Sequence, residues 1–423
     1  VVRLCSEQGV GFTPRGAGTG LAGGAVPLGE TVVIGLGRLN RILEVDVENR
    51  CAWVEPGVEN ARLDRVARRH GLRYAPDPSS QPACTIGGNV GTNAGGPHCL
   101  AHGVTSAHVL ALDLVDARGV VHRCGSLAPE QPGYDVRGLV IGSEGTFGVV
   151  SRICLRLLPV PERIGTVLLA FPSVRAAAET VSSILARGCI PVALELMDQA
   201  AVRLVEDYAR AGYPTDAGAI LLVEFEGLEH EVAEGAAIAA AEGRRHGAEA
   251  RMADTDEQRA RLWTGRKAIA GAMAKAAPDY YLHDGVVPRT RLAEVFDEML
   301  RIGEDEGVRI VNVAHAGDGN LHPLILFDRK EPGMLARVFR AGERIVHATI
   351  EAGGVLSGEH GIGLEKRDFL YDPTVLAPEE LALHVRVRAA LEPTGLANPG
   401  KKVVARAPGA AARPALVPEG TWL

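Results

Sequence analysis

Two histidines bracket a glycine-rich turn in His315-Ala-Gly-Asp-Gly-Asn-Leu-His322, and an acid–histidine pair, Glu359-His360, follows inside Gly358-Glu-His-Gly361. Imidazole and carboxylate donors suit Zn, Mn or Fe(II), and three protein ligands leave a coordination position for a substrate. The set therefore offers three ligands and one spare base. The residues before His315, Arg309-Ile-Val-Asn-Val-Ala, are strand-like, and so are those after His322, Pro323-Leu-Ile-Leu-Phe. Gly317-Asp-Gly-Asn320 between them is turn chemistry, so the segment reads as a β-hairpin that brings His315 and His322 face to face across its mouth. Glu359-His360 follows a short apolar run from Gly354 and enters a Gly-flanked loop, where side chains are exposed for chemistry. A lone histidine beside a turn is ordinarily solvated. The combination on strand–loop junctions is what points to a metal.

Glycine-rich segments must approach something closely. Pro14-Arg-Gly-Ala-Gly-Thr-Gly-Leu-Ala-Gly-Gly24 contains a literal G-x-G-x-x-G from Gly18 to Gly23. A dinucleotide fingerprint must open a helix, but this one runs into Gly24-Ala-Val-Pro-Leu-Gly29, which cannot continue as one. A nest of backbone N–H groups for phosphate is the alternative. A second loop supports it: Pro76-Asp-Pro-Ser-Ser80, then Thr85-Ile-Gly-Gly-Asn-Val-Gly-Thr-Asn-Ala-Gly-Gly96. A third, Gly142-Ser-Glu-Gly-Thr-Phe-Gly148, reads as a platform for a ring system. Any one of these could be a tight turn. Three together read as the two sides and floor of an elongated diphosphate cofactor site.

The elements that must position these residues follow from length and pattern. A chain of 423 residues with 46% hydrophobic content is too long for one core, so two domains are expected. A net charge of −7 without a long basic run argues against nucleic acid. No stretch approaches the roughly 18 apolar residues of a membrane span, and no secretory segment opens the chain. Seven scattered cysteines without a Cys-x-x-Cys spacing indicate neither a disulfide framework nor an iron–sulfur cluster, and fit a cytoplasmic location. The start at Val1, in an apolar segment, suggests missing N-terminal sequence.

The first third reads as short strands (from Thr31, Ile42, Cys51 and Ala111) with one clear helix from Glu59 to His70. A boundary falls near residue 160. Beyond it, strands at Thr166–Phe171, Val192–Glu195 and Ala219–Glu226 alternate with helices, a rhythm that predicts a ferredoxin-like α+β domain with helices on one sheet face. Helical patterns follow near 255–276, 290–306, 332–352 and 377–391. The expected division is an N-terminally truncated cofactor domain at 1–160, a substrate and metal domain at 161–402 and a flexible tail at 403–423.

Taken together, Pro14–Leu21, Ala75–Ser80, Ile86–Asn89, Asn93–Gly96 and Gly142–Gly145 resemble the FAD-linked oxidase family with the vanillyl-alcohol-oxidase, PCMH-type fold, in its glycolate-oxidase-type branch. The second half adds Asp279-Tyr-Tyr, His315–His322, Ser357–Gly363 and Asn398-Pro-Gly-Lys401, so the resemblance covers nearly the whole chain. It implies an α+β architecture, with a PCMH-type FAD-binding domain and a ferredoxin-like substrate domain carrying C-terminal helices. About one more strand-helix-strand of FAD domain is expected before Val1. FAD contacts are implied at Pro14, Arg15, Gly16, Ala17, Gly18, Thr19, Gly20, Pro78, Ser79, Gly87, Gly88, Thr92, Glu144, Gly145 and Val150.

The resemblance also implies FAD-dependent oxidation of a small 2-hydroxy acid, glycolate or D-lactate, with a hydride passing to the flavin. His315, His322 and Glu359 would hold a divalent metal (Zn, Mn or Fe), and His360 would act as general base. Trp263-Thr-Gly-Arg266 matches the position of a carboxylate-binding arginine. On sequence alone, Arg266 reads as part of a solvated charged run with Arg259, Arg261 and Lys267. Dicarboxylate-oxidising relatives carry Lys and Asn where this chain has Leu282 and Leu324, which points to a monocarboxylate substrate. The implied partners are sister flavin-like and iron–sulfur subunits, with any inner-membrane association made through them. The other readings are a stand-alone D-lactate dehydrogenase and a non-catalytic FAD-binding subunit.

Overall fold

The computed structural model describes residues 1–128 and 133–404. The expected tail at 403–423 lies, from Ala405 on, outside the described residues. The chain folds into two compact units. One comprises Val1–Gly96, His102–Val160 and the segment from Glu359 onward; the other comprises Pro97–Ala101 and Pro161–Gly358. Among the described residues, no helix is long and apolar enough to cross a membrane.

The first unit holds a parallel pair, β1 (Gly11–Arg15) and β2 (Thr31–Gly35), and a five-stranded antiparallel sheet. The sheet strands are β3 (Ile42–Asp46), β4 (Cys51–Val54), β5 (Val109–Val115), β6 (Val121–Gly125) and β7 (Val149–Arg156), in the order β3-β4-β7-β5-β6. Helix α1 (Asn60–Arg68) buries Leu63 and Ala67, spaced i, i+4, among Ala52, Val54, Ile153 and Leu155 of the sheet. Each large side chain in such a core contributes roughly 2 kcal/mol by leaving water.

The segment from Thr85 to Gly96, expected as a loop, contains a helix, α2 (Ile86–Thr92). Thr85 caps it by accepting the Gly88 N–H, and Asn93 ends it in the left-handed region. Ile86 and Val90 enter the same core, and this packing outweighs the low helix propensity of three glycines. The first third, expected as short strands with few helices, also has short helices at Val2–Glu7, Cys99–His102 and Val136–Val140.

The segment Leu396–Asn398 closes this unit. The Phe12 N–H donates to the Leu396 carbonyl at 2.8 Å, and the Asn398 N–H donates to the Phe12 carbonyl at 2.7 Å. The Asn398 side-chain amide then bridges the carbonyls of Gly24 and Glu144 at 2.8 and 2.6 Å.

The second unit is built on an eight-stranded sheet whose strand pairings are all antiparallel. Its strands are β8 (Arg163–Phe171), β9 (Ala193–Asp198), β10 (Ala219–Gly227), β11 (Glu249–Met252), β12 (Asp279–Leu282), β13 (Gly285–Val286), β14 (Arg309–His315) and β15 (Asn320–Phe327). The order is β11-β8-β10-β9-β14-β15-β12, with β13 also on β15. The first four positions reproduce the 4-1-3-2 order of a ferredoxin-like fold.

Helices cover both faces of this sheet, not one. Helices α3 (Val174–Ala186), α5 (Glu229–Arg245), α8 (Leu292–Glu306) and α9 (Met334–Glu351) pack on the face carrying Leu169, Leu196, Leu221 and Val223. Helices α4 (Gln199–Ala209), α6 (Asp256–Lys267) and α7 (Ile269–Ala276) pack on the face carrying Leu168, Met197, Leu222 and Val313. The cause is in β10, where Ala219-Ile-Leu-Leu-Val223 is apolar at every position and fully buried. Alternate residues point to opposite faces, so an uninterrupted apolar run requires cover on both.

In the first unit, His108 is buried, with Nε2 donating to the His102 carbonyl at 2.9 Å and the Tyr74 ring edge-on at 5.8 Å. Burial pushes its pKa down to about 4. A histidine whose folded value lies below its unfolded one contributes stability that is present above about pH 6.5 and lost as pH falls toward 4. Between pH 7 and pH 5 His108 should cost about 2 kcal/mol of stability. Urea midpoints at the two pH values should therefore converge in His108→Gln; an undiminished acid loss in that variant would contradict this.

Candidate metal and flavin sites

One face of the second unit's sheet changes character along its length. Next to Leu168, Leu222 and Val313, the same face carries Thr166, Glu224, Glu195, His315 and His322, because Thr166 pairs with Glu224, Glu195 with His315, and Val313 with His322. Helix α6 crosses this polar row with Arg259, Trp263 and Arg266, spaced i, i+4, i+7. Trp263 Nε1 donates to Glu224 at 2.5 Å, and Arg259 stands 3.5 Å from the same carboxylate. Arg266 donates to Glu195 through Nε and Nη2, both at 2.7 Å. Arg266 is only 4% exposed, so its reading as part of a solvated run is corrected: the charged stripe of α6 faces a charged stripe of the sheet.

Glu195 is fully buried. Its second oxygen accepts from His315 Nδ1 at 2.7 Å. Burial alone would push its carboxyl pKa up, but the adjacent His315 and Arg266 outweigh burial and hold it below the ordinary range. Glu224 is held low in the same way, with His98 as the main counterweight to burial.

The hairpin differs in register from the expectation. Strand β15 begins at Asn320, which pairs with His315, so His322 lies inside the strand opposite Val313. The two histidines are diagonal neighbours on one face, not face to face, with ring centroids 5.0 Å apart at 88°. The turn needs only Ala316–Gly319, with Gly319 at φ +77°, and Asn320 belongs to the ladder. His322 Nδ1 points to the His283 carbonyl at 3.4 Å. A histidine ring whose Nδ1 donates in this way carries its lone pair, when neutral, on Nε2.

His315 and His322 offer ligand atoms within 4.8 Å of each other, as do Asp284 and His322. Either pair requires a further donor to hold a metal. Asp284 is buried and accepts from Ser357 Oγ at 2.7 Å and from the Gly358 N–H at 3.1 Å. Val355 bridges Val286, so residues 355–358 form a strap along β13 that ends over Asn320. Glu359 and His360 are the next two residues of the chain, where the segment assigned to the first unit begins.

In the first unit, Arg15–Gly20 is an exposed turn leaving β1, with Gly18 at φ +75°. The N–H groups of Ala17 to Gly20 have no backbone acceptor among the described residues. Ser80 donates to Thr19 across the neighbouring turn at 3.4 Å, which places Pro78 and Ser79 beside it. A cleft of about 220 Å³ opens between Gly16, Ala17 and Thr85. These are suitable surroundings for a diphosphate.

Other expected flavin-contact residues have internal roles. The Gly87 N–H donates to the Pro56 carbonyl at 2.7 Å, and a Cβ at Gly87 would stand 2.5 Å from Pro56. The Gly88 N–H is taken by Thr85, and the Thr92 hydroxyl donates to the Gly88 carbonyl at 3.3 Å. The Glu144 carboxylate accepts the N–H groups of Ile362 and Gly363 at 2.8 and 2.7 Å. Gly145, at φ +74°, packs on Pro14, and Val150 lies in β7. Sequence reasoning missed Glu195 and gave Asp284 and Asn398 no role. A glutamate inside the apolar run Ala193-Leu-Glu-Leu-Met was the available signal for the first, since a buried carboxylate must have partners.

Comparison with known proteins defines the class. A family model for an FAD binding domain matches residues 1–125, and one for the C-terminal domain of FAD linked oxidases matches residues 160–402. The chain belongs to the FAD-linked oxidase family. It is 42% identical over 404 residues to the glycolate oxidase subunit GlcD of Escherichia coli K12, covering 95% of this chain and 81% of that protein. It is 33% identical over 413 residues to a D-lactate dehydrogenase of Anaerostipes hadrus, covering 95% and 86%. A solved 4-ethylphenol oxidase from Gulosibacter chungangensis shares the fold, with a TM-score of 0.77 at 20% identity over 95% of this chain and 86% of that one.

The strap depends on a glycine. A Cβ at Gly358 would lie 2.0 Å from Asn320 Nδ2. Gly358→Ala should lift the strap from β15 and weaken Zn²⁺ uptake by at least about 10-fold, the scale of losing a ligand's support. Far-UV circular dichroism should be unchanged. Uptake equal to wild type in dialysis would show that the strap has no part in metal binding.

Proposed function

We propose that this chain oxidises a small 2-hydroxy monocarboxylate, glycolate or D-lactate, to the 2-oxo acid. The carrying observation is the buried His315–His322 pair, with both Nδ1 atoms held by protein acceptors and Arg266 anchored on the same carboxylate as His315. It stands in a chain similar to a glycolate oxidase subunit and to a D-lactate dehydrogenase.

Glu359 would be the third ligand, since a catalytic site needs three protein donors and the chain carries Glu359 one residue beyond the anchored Gly358. A divalent ion (Zn, Mn or Fe) at His315, His322 and Glu359 would lower the pKa of a 2-hydroxyl bound to it. FAD would be held by Pro14 to Gly20 with Pro78, Ser79, Gly145 and Val150, and would supply the acceptor for a hydride from the substrate's second carbon. Gly87, Gly88, Thr92 and Glu144 shape the walls of that site through their internal bonds.

His360 takes the hydroxyl proton as general base, a contribution of about 10²–10⁴-fold. Arg266 presents Nη1 to the substrate carboxylate while Nε and Nη2 remain on Glu195. Leu282 and Leu324 are cross-strand partners, and Leu324 lies two residues past His322 on its face. A second substrate carboxylate there would go unpaired at a cost of several kcal/mol, roughly 2–7 for a polar group without a partner. The electrons pass to a separate iron–sulfur subunit and on to quinone; the likeness to a chain named as a subunit of glycolate oxidase supports a partner. A stand-alone D-lactate dehydrogenase is the second reading, favoured by the 33% relative; co-purification of an iron–sulfur subunit would decide against it.

Anaerobic bleaching of the flavin by a panel of 2-hydroxy acids tests the reading. Glycolate or D-lactate should bleach it, and chelator should abolish bleaching without unfolding the protein. A higher kcat/KM for 2-hydroxyglutarate would rule out the monocarboxylate assignment, and unfolding by chelator would make the metal structural. His360→Asn should lower kcat by about 10²–10⁴-fold at unchanged FAD and metal content. Undiminished turnover in that variant would mean that His360 is not the base.

A further inference from the structure

Glu195 touches neither proposed substrate nor proposed metal, yet it is bonded to both a metal-site histidine and the proposed carboxylate-binding arginine. It is wholly buried, one oxygen accepting from His315 Nδ1 at 2.7 Å and the other from Arg266 Nε and Nη2 at 2.7 Å. Its position is fixed from the backbone: Glu195 pairs with His315 across β9 and β14, and with Leu222 on the other side. Arg266 reaches it from α6, whose Trp263 one turn earlier is anchored on Glu224. Both carboxylate oxygens are therefore committed to donors on two different elements.

We propose that Glu195 is a positioning residue that sets the metal affinity of the site and aligns Arg266 with it. By accepting the Nδ1 proton, Glu195 fixes the His315 tautomer and ring plane, so that Nε2 is the ligating nitrogen, and its negative charge strengthens that nitrogen as a donor. By gripping two of the three guanidinium nitrogens, it leaves Arg266 one direction in which to offer Nη1. The distance between metal and carboxylate anchor is thus set by a single side chain. A neutral amide cannot replace it. Glutamine offers one acceptor and one donor where the site asks for two acceptors, so either His315 or Arg266 loses its partner.

This inference rests on the metal reading above, and the experiment separates the two. Zn²⁺ affinity is measured by chelator competition on the full chain for wild type, Glu195→Gln, Arg266→Gln and the double variant Glu195→Gln/Arg266→Gln. The double variant removes the charge pair while giving each amide a partner in the other, so it keeps the test open if the single Glu195 variant fails to fold. Zn²⁺ affinity should fall by about 10–100-fold in both variants that lack Glu195, and remain within about threefold of wild type in Arg266→Gln, where the substrate KM should rise instead.

In ¹⁵N-histidine-labelled wild type, Zn²⁺ should shift Nε2 of His315 while Nδ1 stays protonated. Equal affinity of the double variant and wild type, or zinc on Nδ1 of His315, would overturn the role of Glu195. Failure of wild type to bind any of Zn²⁺, Mn²⁺ and Fe²⁺ stoichiometrically would overturn the metal reading itself, and the role with it.

Discussion

A buried carboxylate between two donors organises the second unit. Placing an ionised Glu195 out of water costs several kcal/mol unless each oxygen is matched, so the fold must bring His315 and Arg266 to it from separate elements. That requirement fixes the register of β9 on β14, the face on which the histidines stand and the angular position of α6. Glu224 repeats the arrangement one strand away with His98, Thr166, Trp263 and Arg259. The two acids turn part of an otherwise apolar sheet face into a rigid polar floor.

The alternation of strands and helices beyond residue 160 was legible because β8, β9 and β10 are apolar runs bounded by turn residues. So was the pairing of the strands that carry His315 and His322, because Gly317-Asp-Gly is strong turn chemistry. The register was less legible: both Gly319 and Asn320 suit a turn, and only the ladder shows that Asn320 has joined the strand and moved His322 inward. Helix α6 misleads for a plain reason. Its inward stripe is charged, and pattern reading equates charge with solvent, whereas here the partner surface is charged as well. The cover on both sheet faces could have been inferred from the unbroken run at 219–223, where alternation is absent.

The glycines of the first unit divide by what a Cβ would strike. Gly87 is a glycine because Pro56 presses on it, and Gly361 because Glu144 presses on it and its φ is +84°, reasons internal to the protein. Gly18 is a glycine for its backbone angle, in a turn whose N–H groups have no backbone acceptor among the described residues. Sequence shows only that glycine is abundant and cannot separate these causes. The helix at 86–92 illustrates the point: what reads as a flexible phosphate loop is held by Ile86 and Val90 in a hydrophobic core.

The strand-like return of Leu396–Asn398 to β1 also orders events in time. The second unit is complete in sequence by Gly358, but the first cannot pair Phe12 or tie Gly24 to Glu144 until residue 398 exists. At about 5–20 residues per second of synthesis, roughly 10–50 s separate the making of Val160 from that of Asn398. During this interval the nascent flavin-binding half stands with its last seam unsewn, which makes it the part of the chain most dependent on protection while it is being born.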